Sequence, residues 1–373
     1  MGDGMTMQEN VGPGSVEAEI EALASGPEIK ERSAFQRVMT VTIGPIIAAF
    51  VLSAVILMLV GVNPFTYYGY ILERSLFSGL GLEQTATRMA PLLFLCASLI
   101  IAFRAGIWNL GTDGQFLLGA VVSAATAPLL VGVLPGWAVL LVGFLLAAIV
   151  GAVWSIIPAL LKAYQGVNEI VTTLMMSFLG VLLASTLVKL VFRDPDTTVP
   201  QTRTLAVEDR LPRLFDTSIS SGLIWGLIAV IAVHLMMTRT AFGLRLRMVG
   251  ANPAAAAHAG LSVPLLTMAT FGLSAGFAGL SGATEILGVA GNVRANWDPA
   301  YGLMVIPLVF LARFHGVGAI VLVFFYSALM IGSESAARRL GVPQDFTLVL
   351  VAFLLISLGL GEYIDQKKRK KER

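Results

Sequence analysis

The apolar residues of this chain come in runs long enough to cross a bilayer, which closes off most folds open to a soluble chain of 373 residues. A hydrocarbon core about 30 Å thick takes roughly 20 apolar residues per helical crossing. Such runs lie near residues 39–61, 89–103, 115–133, 137–161, 169–191, 222–238, 263–283, 299–312, 317–333 and 345–361. Charged residues make up 13% of the chain, about half their usual share in soluble proteins. The expectation is an all-α polytopic membrane protein with about ten transmembrane helices. A polar N-terminal arm over 1–38 precedes a membrane domain over 39–362, and a basic tail occupies 363–373.

The formal net charge of +2 says little, but its distribution says more. With that number of spans and an internal N-terminus, Lys30, Arg32, Arg37, Arg104, Lys162, Arg239, Arg245, Arg247, Arg313 and the lysine-rich tail share one side. Their loops are short and nearly free of acids, so the positive-inside rule makes that side, with both termini, cytoplasmic. On the other side the loop 192–220 mixes arginines with Asp194, Asp196, Glu208, Asp209 and Asp216. The lone Cys96 lies within a span and excludes an internal disulfide. In the arm, Val16, Ile20 and Leu23 are spaced for one face of a short helix.

Polar residues interrupt the apolar pattern at three places. The stretch FRAGIWNLGTDGQF, residues 103–116, sets Arg104, Asn109, Thr112, Asp113 and Gln115 among three glycines. Non-helical backbone survives at membrane depth only where protein or a wet cavity meets its peptide groups, so this knot points inward. Thr112 and Gln115 have capping-box spacing, and a helix is expected to start near Asp113. Its own helix dipole would hold that carboxylate, with Arg104 or Asn109 as partner. The knot is then either a capped joint or a lining of a transport path.

In GVNEIVTTLMMSF, residues 166–178, Asn168 is placed to cap a helix on which Glu169, Thr172, Thr173, Met176 and Gly180 share one face. That face suits a path for a polar, partly aromatic solute, or ordinary interhelical hydrogen bonding. The third stretch, RTAFGLRLRMVGANPAAAAHAGLS at 239–262, is too polar to span. Asn252 as N-cap, Pro253 at the first helical position and Gly260 at the end predict a short surface helix after a basic lead-in of Arg245 and Arg247. Later, Gly272 with Gly276, Ala275 with Gly279, and Ala278 with Gly282 are small-residue pairs that favour close helix packing. Glu285 and Glu334 are expected near outer edges, and His234 as a packing residue.

The sequence holds no G-x-x-x-x-G-K-[ST] phosphate loop, no H-E-x-x-H and no cluster with metal-ligand spacing. A membrane enzyme would need such a cluster. An ion-coupled carrier usually buries ionisable groups or broken-helix sites near the midplane, and acids are nearly lacking deep in these spans. An ion-coupled secondary transporter or channel for a small polar solute is the alternative reading.

Taken together the three stretches resemble the integral membrane permeases of bacterial ABC importers for ribose-like sugars, branched-chain amino acids and nucleosides, most closely the nucleoside and simple-sugar branch. The resemblance runs from about residue 85 to 360. Asp113 stands where that family usually has Glu, Ser177 where Asn is common, and ARFHGVG at 312–318 lacks a frequent proline. The resemblance implies a type II ABC importer permease fold in the bacterial inner membrane. It further implies that Gly250, Asn252, Pro253, Ala255 and Gly260, behind Arg245 and Arg247, couple the chain to a separate ATP-binding subunit. A second permease subunit, identical or homologous, and an extracytoplasmic substrate-binding protein would complete the importer. This chain would bind no cofactor or nucleic acid, ATP being used by the partner. Glu169, Thr172, Thr173, Met176, Asn109, Asp113 and Gln115 are then the candidate path residues.

Overall fold

The computed structural model describes residues 43–215, 217–343 and 346–371. The expected arm over 1–38 and its short helix lie outside the described residues. The chain divides into two units, Ala49–Leu355 and a second made of Met1–Ala48 with Ile356–Arg373. Within the second, the described residues are the start of the first helix and the end of the last. All packing below belongs to the first unit.

Fourteen α-helices follow in order among the described residues: α1 Gly44–Leu59, α2 Pro64–Leu76, α3 Gly79–Arg104, α4 Thr112–Leu130, α5 Gly136–Trp154, α6 Ile156–Gln165, α7 Glu169–Leu190, α8 Gly222–Arg239, α9 Ala241–Ala251, α10 Pro253–His258, α11 Val263–Glu285, α12 Tyr301–Leu311, α13 Gly316–Leu340 and α14 Phe346–Lys371. Among the described residues, eight segments are long and apolar enough to cross a membrane, or up to nine if the bent pair α1–α2 counts as one. The shortfall from ten has two sources. The run 299–312 condenses into the 11-residue α12, about 16 Å long at 1.5 Å per residue and too short to span. The run 39–61 ends in a 116° bend between α1 and α2, where Asn63 caps the second helix through Phe65 N–H. Helix α14 continues into the basic end as far as Lys371.

Packing follows from where small residues fall. Helix α3 is apolar nearly all round and is buried continuously from Met89 to Ala102, as expected of a central helix. Helix α5 divides into two stripes of four-residue spacing. Gly143, Ala147 and Gly151 are buried, while Leu141, Leu145, Ile149 and Val153 lie exposed on an apolar outer surface. The small stripe meets α11 backbone to backbone. A Cβ on Gly119 of α4 would stand 2.7 Å from Gly279 Cα, and one on Gly279 would collide with the Ala147 carbonyl. Three helices thus cross at glycine-sized separation, a geometry that gains dispersion contact without needing a hydrophobic driving force. Of the small pairs on α11, Ala275–Gly279 and Ala278–Gly282 both pack closely, a Cβ on Gly282 colliding with the Phe116 carbonyl, whereas Gly272 faces open space.

Gly279→Leu is therefore expected to lower membrane abundance and thermal stability sharply, by overpacking worth about 1–3 kcal/mol or more. Gly272→Leu on the same helix should be tolerated. Fluorescence-detected size exclusion on the two variants checks the contrast.

Candidate functional site

The knot between α3 and α4 lies within the protein, folded back beside α3. Helix α3 closes in a turn at Gly106 (φ +69°), with Ile107 N–H donating to the Ala102 carbonyl at 2.9 Å. The chain then climbs back alongside α3. Asn109 Nδ2 donates to Ser274 Oγ on α11 at 2.9 Å, and Ser98 Oγ donates to the Ser274 carbonyl at 2.7 Å. Asn109 therefore lies level with Ser98, about 9 Å back from Arg104 by helical rise. Helix α4 starts at that depth rather than at a surface.

Three of the N–H groups at the break are met by side chains. Gly111 N–H donates to Asn109 Oδ1 at 3.1 Å, Leu110 N–H to Thr173 Oγ1 at 3.1 Å and Gly114 N–H to Ser177 Oγ at 3.2 Å. The side-chain amides of Asn109 and Gln115 exchange two hydrogen bonds, at 3.1 and 3.2 Å. The expected Thr112–Gln115 capping box does not form, because Thr112 is already helical and Gly111 is the N-cap. Gln115 turns to Asn109 instead.

Asp113 also differs from expectation. Arg104 is engaged elsewhere, its Nε donating to the Phe314 carbonyl at 2.9 Å, and Asn109 is committed to Gln115 and Ser274. Asp113 Oδ1 accepts the N–H of Gly302 at 2.6 Å, in the first turn of α12 and not of its own helix. Buried at 6% exposure, the carboxylate neutralises the positive end of a helix that enters from a left-handed Ala300 (φ +51°). Gly302 leaves room for it, since a Cβ there would sit 2.8 Å from Asp113 Oδ1. Asp113→Asn keeps an acceptor for that N–H, so membrane abundance and uptake should stay near wild type. Gly302→Val should remove both. Parallel measurement of abundance and transport distinguishes this joint from a working carboxylate.

The striped face of α7 packs on this joint. Asn168 caps α7 as expected, accepting from Ile170 N–H at 2.9 Å. Glu169 pairs with Lys162 Nζ at 2.7 Å, Thr173 holds Leu110, and the Met176 carbonyl accepts from Trp154 Nε1 at 2.9 Å. Thr172 returns its hydroxyl to the backbone of its own helix. Gly180 sits against Gly114, where a Cβ would come within 2.8 Å of its Cα. The face predicted to line a path is, in this conformation, the contact between α7 and α4. None of Glu169, Thr172, Thr173, Met176, Asn109, Asp113 and Gln115 lines the two polar cavities described below.

The third stretch forms two helices rather than one. Arg245 and Arg247 are exposed on α9, and Asn252 Oδ1 accepts the Ala255 N–H at 3.0 Å to start α10. Pro253 follows the cap, and Gly260 closes the helix at φ +80°. Within α10 only Ala256 is buried; Pro253, Ala255 and the cap Asn252 face outward. Gly250 behaves differently from its neighbours. A Cβ there would reach 2.5 Å from the Ala105 carbonyl carbon, so it fastens this segment to the turn that ends α3. His234 is a packing residue as predicted, accepting Gly316 N–H through Nδ1 at 3.3 Å.

At the far ends of α3 and α11 lies a polar cluster that the sequence reading passed over. Arg88 on α3 is 3.4 Å from Glu285 Oε1 on α11 and 3.6 Å from Glu334 Oε1 on α13, and it also donates to the Tyr301 hydroxyl. Glu285 is buried, not exposed at an edge. The cluster forms the wall between two cavities. One, of about 360 Å³, is lined by Gln84, Thr87, Glu285, Arg338 and others under the 192–220 loop; the second, of about 270 Å³, by Trp297, Tyr301, Met304 and Met330. Arg88 and Glu334 border both. An arginine at the start of the run 89–103 was the available signal, since ionisable groups in spans mark functional positions by default.

Comparison with known proteins agrees with this arrangement. The family model described as the permease component of the branched-chain amino acid transport system matches residues 81–358. A glucose ABC transporter permease of Haloferax volcanii is 32% identical over 85% of this chain and 86% of its own length. A nucleoside ABC transporter permease of Lactococcus lactis is 26% identical over 84% and 89%, and a guanosine ABC transporter permease of Bacillus subtilis 27% over 73% and 79%. No solved structure matches the chain. With three quarters of its length under one family model and its apolar helices in place, this chain belongs to the branched-chain amino acid transport permease family and is a multi-pass membrane permease subunit of an ABC importer.

Proposed function

We infer that the chain carries a neutral solute bearing vicinal hydroxyls, a nucleoside or a simple sugar, across the plasma membrane at the expense of ATP hydrolysed by a partner. The solute class is supported by the relatives named for glucose, nucleosides and guanosine, whose shared chemistry is a polyol. The observation that carries the mechanism is the placement of two features at opposite ends of the same helices. Helix α11 begins beside α10 and ends at Glu285, about 34 Å away by helical rise. Helix α3 runs the other way, from the Arg88 cluster to the Gly106 turn fastened by Gly250. A push on α10 is thereby passed to the cavities through two rigid rods.

In this reading Arg245, Arg247, Asn252, Pro253, Ala255 and Gly260 face an ATP-binding subunit on the cytoplasmic side, along with both chain ends. Six residues of capped helix with one inward side chain contribute little to the fold, which suits a segment held for a partner. The sequence lacks a phosphate loop, consistent with hydrolysis on the partner. A second permease subunit and an extracytoplasmic binding protein complete the importer, the latter meeting the 192–220 loop. The states that ATP binding selects differ in how tightly the docked helix is held, which is the differential contact a conformational shift requires. The α4–α7 joint, with its satisfied backbone, moves as one piece.

Ala255→Arg is the test of coupling, because Ala255 is exposed and its substitution leaves the fold alone. Co-purification of the ATP-binding subunit and uptake of labelled adenosine and glucose should both fall by about tenfold or more, as for a bulky charge placed at an interface core, with unchanged membrane abundance. Normal assembly and uptake would remove the docking role. Uptake that follows an ion gradient and survives ATP depletion would favour a secondary carrier.

A further inference from the structure

We propose that the Arg88–Glu285–Glu334 cluster is a binding site for the vicinal hydroxyls of the transported solute. This rests on the polyol reading above and places it at particular atoms. The second carboxylate oxygen of Glu285 is the leading observation. Glu285 is 4% exposed and lines the cavity of about 360 Å³. Its Oε1 is engaged by Arg88, while Oε2 is buried with no hydrogen-bond partner among the described residues.

A buried carboxylate oxygen left without a donor is costly, and native structures keep such atoms where a ligand or water meets them. The missing donor is an O–H or N–H group of the occupant. A neutral polyol supplies hydroxyl donors without bringing a charge that would compete with Arg88. Two hydroxyls on neighbouring carbons can donate to adjacent carboxylate oxygens, and a guanidinium held between two carboxylates can donate to the hydroxyl oxygens in turn.

The open group beside Arg88 is an acceptor, which calls for a ligand that donates. The Arg88 guanidinium is committed to two carboxylates and Tyr301. Arg210, which also lines this cavity, gives its donors to the carbonyls of Leu205 and Val289. The inner end therefore offers the open Glu285 acceptor beside engaged cations, while Arg213 and Arg338 line the same cavity. Glu334, half exposed at the border of both cavities, supplies the second acceptor. Beyond Arg88, Trp297 and Tyr301 in the cavity of about 270 Å³ offer aromatic surface, to which a nucleobase would add contact that a plain sugar lacks.

The test uses the purified full-length chain in lipid nanodiscs, without partners, so that selectivity of a binding protein plays no part. Saturation-transfer-difference NMR detects weak binding and reports which ligand protons touch the protein. Adenosine should receive saturation at its ribose 2′ and 3′ protons, and 2′,3′-dideoxyadenosine, lacking the diol, should bind about tenfold more weakly, as expected for losing hydrogen bonds to a charged group. Glu334→Gln, at a half-exposed position that does not carry the fold, should narrow that preference, and Glu285→Gln should abolish it. Glucose saturated as strongly as adenosine assigns a sugar; adenosine alone assigns a nucleoside. Equal binding of adenosine and its dideoxy analogue, or no saturation from either adenosine or glucose, overturns the site. Cellular uptake of both solutes separates the two levels: intact uptake with no diol preference in the nanodisc removes this site alone, whereas absent uptake removes the polyol reading itself.

Discussion

The chain cannot leave a helix inside a membrane without finding partners for the peptide groups it frees, and the rest of this architecture depends on how that debt is met at residues 105–111. Within a membrane each N–H needs a partner in protein or a wet cavity. Thr173 on α7 meets Leu110 and Ser177 meets Gly114, while Ser274 on α11 and Gln115 hold Asn109, which meets Gly111. The consequence is structural: α4 starts at depth, α7 lies against it, and α11 crosses α4 and α5 within glycine distance. Asp113 extends the same logic to α12, whose first turn it neutralises from another helix.

The two ends of the molecule are joined by the elements that this break organises. Helix α3 is buried along most of its length and is gripped at one end by the Gly106–Gly250 contact and at the other by the ion pairs of Arg88. Helix α11 shares both neighbourhoods. Close packing leaves little room for continuous deformation, so in the proposed cycle a displacement at α10 moves these helices as bodies and alters the Arg88 cluster that divides the cavities. A buried ion pair is a poor source of net stability but a good source of specificity, because breaking it exposes a charge at a cost of several kcal/mol. At a boundary between two cavities that property makes the wall definite in each state.

Some of this was legible in the chain. The apolar runs gave the helices, since only a helix satisfies its own backbone in lipid. Asn168 and Asn252 were readable as caps because a cap is a local contract between one side chain and amides two or three residues on. The surface helix at 253–258 followed from Asn, Pro and Gly at fixed offsets. The same local logic failed at Thr112, where capping-box spacing was present but Asn109, offered by a backbone that doubles back, took the Gln115 side chain. On α7 a polar stripe reads alike whether it faces a solute or another helix's broken end, and in this conformation it packs on the latter.

What the sequence by itself determined is therefore the class of the molecule, its apolar crossings and the positions of its breaks, because hydropathy and capping act over a few residues. Pairing across the bundle was decided only by the tertiary structure. Asp113 lies 189 residues from the N–H it accepts and Arg88 lies 197 from Glu285. No local spacing encodes such a pair. Burial then determines whether a carboxylate is capped, as Asp113 is, or left with an open oxygen beside a cavity, as Glu285 is, and that depends on which helices glycine allows to approach.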